Sequence, residues 1–216
     1  MFDLIKQLID FVLHIDKHLI ELVNQYHQWT YLIIFAIIFV ETGIVIMPFL
    51  PGDSLLFASG ALCAAGTLDI RILIIGVYIF AVLGDNCNYF IGKYLSKKVS
   101  NKKYKLIKQE YLDRTERFYD KHGGKALIMA RFIPILRTFA PFVAGAGKMS
   151  YKRFFTYCLI GNLLWVNLFS WAGYLFANNE FVKKNFSLVI LAIIFVSVIP
   201  VFIAWVKNLN NKNISS

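Results

Sequence analysis

Four ionisable side chains stand in stretches of this sequence that are otherwise apolar. Glu41 is embedded in Ile37-Ile38-Phe39-Val40-Glu41-Thr42-Gly43, and Asp53 closes Met47-Pro48-Phe49-Leu50-Pro51-Gly52-Asp53. Arg131 and Arg137 interrupt the apolar block 126–147, together with Pro134 and Pro141. Ionisable groups inside such segments are costly to bury and mark a functional site by default. An arginine pair presents planar donor forks that suit phosphate. Carboxylates beside it can carry protons, because burial favours the neutral form and a neighbouring guanidinium favours the charged one. The opposite signs lead to the expectation that Glu41 and Asp53 face Arg131 and Arg137, with protonation releasing the arginines for an anionic substrate. Two purely structural roles compete with this: Asp53 or Ser54 as N-cap of a short helix over 55–65, and Glu41 as a buried salt bridge.

The elements that would position these groups cannot be ordinary spans. Each Arg at the centre of a lipid-facing helix costs about 2.5–3.5 kcal/mol on insertion scales. On a straight helix of 3.6 residues per turn, positions 131 and 137 are also about 120° apart. Pro134 and Pro141 lack the amide N–H and disfavour helix at the residue before them. A re-entrant hairpin over 126–147 is therefore expected, its turn buried in protein and both guanidinium groups directed into a polar cavity. The segment 41–68 mirrors it with acidic charge. Pro48, Pro51, Gly52, Pro134, Pro141 and Gly145 are the expected hairpin-shaping residues, and Asp85 and Asn88 are candidates for an accessory polar role.

Composition makes the surroundings a membrane. Of 216 residues, 58% are hydrophobic and only 17% charged, against about 25% charged in ordinary soluble domains. The mean hydropathy is +0.59. Residues 154–176 and 186–206 are each long enough to cross a hydrocarbon core of about 30 Å, and in lipid they must be helical. The net charge of +10 is concentrated rather than general: residues 92–125 hold eleven Lys or Arg against four Asp or Glu. That pattern marks a cytoplasmic segment under the positive-inside rule, not a nucleic-acid site.

Along the chain, residues 1–30 repeat apolar side chains at helical spacing, with charges between them. They are expected to form an amphipathic interfacial helix rather than a signal peptide. The membrane domain then occupies 31–206, and 207–216 forms a basic tail. Cys63, Cys87 and Cys158 are widely spaced with no CxxC or Cys/His cluster, so they read as small core fillers. His14 and His18 share a helical face but lack a third ligand, so no metal and no other cofactor is expected. Each half contains a charged, proline-containing apolar segment followed by a more regular span, a pattern associated with inverted-repeat transporters.

In these pieces the chain resembles the DedA family, whose wider relatives include the SNARE-associated Golgi or VTT-domain proteins. They are Glu41-Thr42-Gly43, Phe49-Leu50-Pro51-Gly52-Asp53, Gly84-Asp85, Tyr89-Phe90-Ile91-Gly92, His122-Gly123, Arg131-Phe132-Ile133-Pro134, Arg137, Pro141, Ala144-Gly145 and Gly161-Asn162-Leu163-Leu164-Trp165. They run in order over about residues 30–176. The resemblance implies an all-α, multi-pass bacterial inner-membrane protein with two oppositely facing re-entrant hairpins, linked to lipid translocation and the proton-motive force. It also implies that Glu41 and Asp53 couple protons, and that Arg131 and Arg137 bind substrate phosphate.

The function expected from these features is a proton-linked transporter or flippase for a phosphate-bearing lipid, such as undecaprenyl phosphate or a phospholipid, supporting envelope homeostasis. Its partners would be anionic lipid head groups and protons, with a homo-oligomer left open. A cation-coupled small-solute or drug transporter and a non-transporting envelope scaffold are the alternatives. No nucleophile triad and no HExxH motif is present, so an enzyme with catalytic residues is not expected.

Overall fold

The computed structural model describes residues 29–44, 52–99, 124–147 and 149–180, together with Val182, Leu188, Val189 and Ala192. Almost all of the N-terminal amphipathic helix, Pro48 and Pro51, the centre of the basic segment, most of the span expected at 186–206 and the basic tail lie outside the described residues. In chain order the helices are α1 (Trp29–Gly43), α2 (Gly52–Ala64), α3 (Ile70–Val99), α4 (Lys125–Ala130), α5 (Pro134–Ala146) and α6 (Tyr151–Phe176). No strand occurs among the described residues.

Length divides them into two kinds. The 30 residues of α3 and 26 of α6 rise about 45 and 39 Å, enough to cross a bilayer core. Both are long and apolar enough to cross a membrane. At 15 and 13 residues, α1 and α2 reach only about 20 Å. The long helix α3 continues to Val99, past the Gly92 boundary expected for the hydrophilic segment, so Lys93, Lys97 and Lys98 ride on its last turns.

Local chemistry sets the joints. Gly66 takes a positive φ of 78°. There Gly66 N–H donates to Cys63 C=O and Thr67 N–H to Leu62 C=O, each at 3.1 Å. This Schellman pairing ends α2 by satisfying its last carbonyls. Asp69 then caps α3, its Oδ1 accepting from Arg71 N–H at 2.7 Å and Ile72 N–H at 3.3 Å. Between α4 and α5 the break is made by Pro134: Ile133 before it is extended at φ −119°, ψ 110°, and Pro134 opens α5.

Burial is inverted relative to a soluble protein. Along α3, Ile72, Ile75, Ile79, Leu83 and Phe90 lie on the outside, and Ile160, Leu164, Leu168, Trp171 and Leu175 do so along α6. Leu175 is 68% exposed, whereas Glu41 is 1% and Arg137 3% exposed. An apolar exterior of this extent is a lipid-facing one. Inside, one apolar cluster joins Ile34, Ile38, Leu55, Leu56, Leu73, Val77, Trp165 and Val166. A second joins Tyr89, Ala126, Leu127, Ala144, Phe154 and Cys158.

The short helices pack crosswise onto the long ones: α2 chiefly against α6, and α5 against α3. Each crossing is closed by a reciprocal glycine pair. A Cβ on Gly60 would meet the Ser170 carbonyl oxygen, and one on Gly173 the Phe57 carbonyl oxygen. In the other crossing, Gly92 faces the Phe142 carbonyl and Gly145 the Tyr89 carbonyl in the same way. The partner glycine is three residues along in every case, and the pairing order makes both crossings antiparallel. Backbones approach this closely only where the side chain is absent, as in small-residue helix interfaces of membrane proteins.

Gly145→Ala is therefore expected to destabilise the purified protein by about 1–3 kcal/mol, the usual cost of overpacking, read as a lower thermal midpoint. Gly161→Ala is the control, because its Cβ would meet Ile128 Cα only at 3.5 Å. Alanine exceeds glycine in helix propensity by about 1 kcal/mol, so that variant should be neutral or slightly stabilised. Equal losses in both would remove the close crossing as the cause.

Candidate functional site

Every described helix except α4 places a polar side chain at one buried point, and α4 delivers Arg131 from its C-cap. Glu41 comes from the last turn of α1, Asp53 from the first turn of α2, Asp85 and Asn88 from the middle of α3, Arg137 from the first turn of α5, and Asn162 and Trp165 from α6. On α6 the positions 158, 162 and 165 follow the i, i+4, i+7 rule and so share a face.

The pairing has two parts. Arg137 divides its fork between the acidic residues: Nη1 donates to Asp53 Oδ1 at 2.5 Å and Nη2 to Glu41 Oε1. Arg131 is held by Asp85 in bidentate fashion, Nη1 to Oδ1 at 3.0 Å and Nη2 to Oδ2 at 2.6 Å, and Nη2 also meets Asn162 Oδ1. The expectation that Glu41 and Asp53 would face both arginines is thus corrected: they meet Arg137, and Arg131 has its own carboxylate. Asp85, expected only as an accessory group, sits at the centre of the network, and Asn88 braces the backbone beside it.

Trp165 joins the halves. Its Nε1–H donates to Asp53 Oδ1 at 2.7 Å. The guanidinium carbons of Arg131 and Arg137 lie 5.4 and 4.9 Å from its ring centroid. Cation–π contacts are worth about 2 kcal/mol when desolvated, as here. Asp85 Oδ2 further accepts from Asn162 Nδ2 at 2.7 Å and from the Cys158 thiol at 3.1 Å. Neither Trp165, Asn162 nor Cys158 stood out as a site residue in the sequence. The available signal was an Asn in an apolar span with a Cys four residues before it and a Trp three after.

The joints explain why the groups converge. Helix α2 already begins at Gly52, so Asp53 lies inside its first turn rather than ahead of it, and its side chain goes to Arg137 and Trp165. Gly52 is needed there: an added Cβ would strike the Glu41 carboxylate. Asn88 donates both amide hydrogens to backbone carbonyls, Thr42 at 3.1 Å and Thr138 at 2.7 Å. Those carbonyls directly follow Glu41 and Arg137, so one buried amide ties together the two segments that carry this ion pair. Pro141 within α5 withholds the N–H that would have bonded to the Arg137 carbonyl, and Gly145 lets α5 lie on Tyr89 of α3. Of the cysteines, Cys63 and Cys158 are buried as expected of small core fillers, but Cys87 is exposed on α3.

A narrow cleft of about 20 Å3, with room for about one water molecule, reaches this network from between α4, α5 and α6. Its polar end is Asp85, Arg131 and Arg137, and its walls include Leu127, Pro141, Phe154 and Tyr157. At the same site Glu41 Oε2, Arg137 Nε and Asn88 Oδ1 are buried without a hydrogen-bond partner among the described residues. The cleft brings a water-sized opening up to the two guanidinium groups, and an anionic group would need it to widen.

Comparison with known proteins gives a consistent picture. Residues 50–175 match the VTT domain. The chain is 53% identical over 201 residues to Protein DedA of Escherichia coli K12, covering 92% of each chain. It is 43% identical over 170 residues to an uncharacterized membrane protein of Mycobacterium leprae, covering 78% of this chain and 76% of the relative. It is also 33% identical over 177 residues to the inner membrane protein YghB of Escherichia coli K12, covering 82% and 78%. No solved structure matches the chain significantly.

Removing Asp85 would leave the Arg131 guanidinium buried without its counter-ion. Asp85→Asn is expected to lower unfolding stability by about 3–5 kcal/mol, the usual cost of breaking a buried pair from one side. The double variant Asp85→Leu, Arg131→Met should regain most of that loss in a denaturation assay in detergent. A double variant no more stable than the single would show that buried charge is not the cause.

Proposed function

We propose that this chain, which belongs to the DedA family of VTT-domain membrane proteins, moves a phosphate-bearing lipid head group across the bilayer in exchange with protons. The observation that carries the reading is the divided grip on Arg137: one single contact to Glu41, one to Asp53, at the end of a cleft with apolar walls. A guanidinium held by two separate carboxylates can change partners stepwise. Protonating either carboxylate removes one charge-assisted bond, and a phosphate oxygen can take that donor without leaving the arginine bare. Arg131, beside it and facing the same cleft, would supply the second cationic contact. The substrate classes that fit are a polyprenyl phosphate, such as undecaprenyl phosphate, and a glycerophospholipid.

The architecture supports transport rather than scaffolding. The segments ending in α2 and running through α4–α5 are read as two re-entrant hairpins facing opposite ways, each packed on the long helix of the other half. The matched glycine crossings, Gly60 with Gly173 and Gly92 with Gly145, are what an inverted repeat would produce. The eleven Lys or Arg of residues 92–125 support a cytoplasmic position for that segment by the positive-inside rule. The membrane assigned is the bacterial inner membrane, crossed several times.

Translocation of a fluorescent phosphate-bearing lipid in proteoliposomes tests the reading. Arg137→Ala should lower the rate about tenfold to a hundredfold, as expected for loss of a hydrogen bond to a charged group of about 1.5–3 kcal/mol, while the variant still elutes as a folded species. Arg131→Ala should fall by a similar factor wherever it folds. Undiminished lipid movement in folded Arg137→Ala would sink the assignment. Movement of a small cationic solute, but not lipid, in the same vesicles would replace it with a solute transporter.

A further inference from the structure

The buried network contains an odd number of charges. Three carboxylates, Glu41, Asp53 and Asp85, meet two guanidinium groups, Arg131 and Arg137, and all five are buried. With every group ionised the cluster would carry a net charge of −1 in a lipid-embedded interior. Among the described residues no further cation joins the cluster. The groups that α6 adds are the Asn162 amide, the Trp165 indole and the Cys158 thiol, and α3 adds the Asn88 amide. From α4 and α5 come only the two arginines, with Tyr157 of α6 on the cleft wall. An uncompensated buried charge of this kind is removed by taking up a proton.

We infer that the resting cluster holds one proton, and that it resides on Glu41. The choice among the three carboxyls follows from what each receives. Asp85 accepts two bonds from Arg131, one from Asn162 and one from Cys158. Asp53 accepts from Arg137 and from the Trp165 indole. Glu41 receives one charge-assisted bond, from Arg137 through Oε1, and its buried Oε2 meets no other side chain and lies against the Gly52 backbone. A neutral hydroxyl tolerates that position far better than an anionic oxygen does.

The inference deepens the reading of the site as proton-linked, because it fixes a count. The proton occupancy is set by the charge balance of the whole cluster, so each negative charge that enters must bring a proton, and each carboxylate removed must release one. A phosphate monoanion docking at Arg137 would accordingly arrive with one further proton, taken up by Asp53 or Asp85 once displaced from its arginine.

Infrared spectroscopy of the purified, delipidated protein in alkyl-maltoside detergent, without substrate, tests the count through the carbonyl stretch of a protonated carboxyl. The wild type should show one such band at neutral pH, shifted by deuterium exchange. Glu41→Gln should lack it. Asp53→Asn should lack it as well, although Glu41 is intact there, because two carboxylates then balance two arginines. Where Asp53→Asn is not recovered folded, Asp53→Ser makes the same charge change. No band in the wild type overturns the inference, and an undiminished band in the Asp53 variant overturns the charge count behind it. Because no lipid is present, failure of the transport assay leaves this result untouched, and the reverse also holds.

Discussion

The structure is organised around the need to bury five ionisable side chains. In a low-dielectric interior an unpaired charge is prohibitive, and even a paired one must recover its lost hydration through well-directed hydrogen bonds. That demand accounts for features that look unrelated in the chain. Helix α1 stops after Glu41, α2 starts one residue before Asp53, and the α4–α5 break falls between Arg131 and Pro134. Each end exposes backbone and frees a side chain to turn inward, as broken helices do where they line a protected cavity. Asn88 then satisfies two carbonyls beside the ion pair, so the breaks do not leave their own polar groups stranded.

Bringing those ends together requires the short helices to lie very close to the long ones. The reciprocal glycines supply the approach: without Cβ atoms at 60, 173, 92 and 145, the carbonyls of the partner helix can occupy the space. The crosswise pattern has a mechanical consequence. Since α2 rests on α6 and α5 on α3, each half of the chain holds a charged short helix of the other, while α1 with Glu41 stays on α3 of its own half. Any relative movement of the two halves must stretch the contacts between Arg137 on one side and Glu41 and Asp53 on the other. The ion pair and the crossings therefore sit together at the boundary between the halves.

Much of this was legible in the residues. Charges and prolines inside apolar blocks marked 41–53 and 131–141, because the insertion cost of arginine rules out a simple lipid-facing helix. Asp69 as a boundary of α3 and the extended residue before Pro134 follow from local chemistry alone. The pairing did not follow. Whether Arg131 meets Glu41 or Asp85 depends on how α3, α4 and α6 cross, and sequence separation is silent on crossing. Trp165 was hidden for a different reason: an aromatic in an apolar span is ordinarily packing, and only the two guanidinium groups beside its ring distinguish it. Cys87 was misjudged as core because an apolar helix in lipid leaves apolar and thiol side chains on its outer face, where a soluble protein would bury them.

The unequal treatment of the two arginines is the most informative detail. Arg131 makes a bidentate pair with Asp85, and Asn162 bonds to both members of that pair. Separating them means losing several bonds at once, with no single-step exchange available. Arg137 makes one bond to each of two carboxylates on different helices, and its Nε has no partner among the described residues. It can release either carboxylate while keeping the other, so its barrier to exchange is that of one bond rather than a whole pair. Both guanidinium groups lie near the same indole ring, which gives them a common apolar support through such an exchange. A site built this way has a fixed cation and an exchangeable one side by side. Under the proposed function, that asymmetry would let one arginine contact open and refill without leaving a naked charge in the membrane.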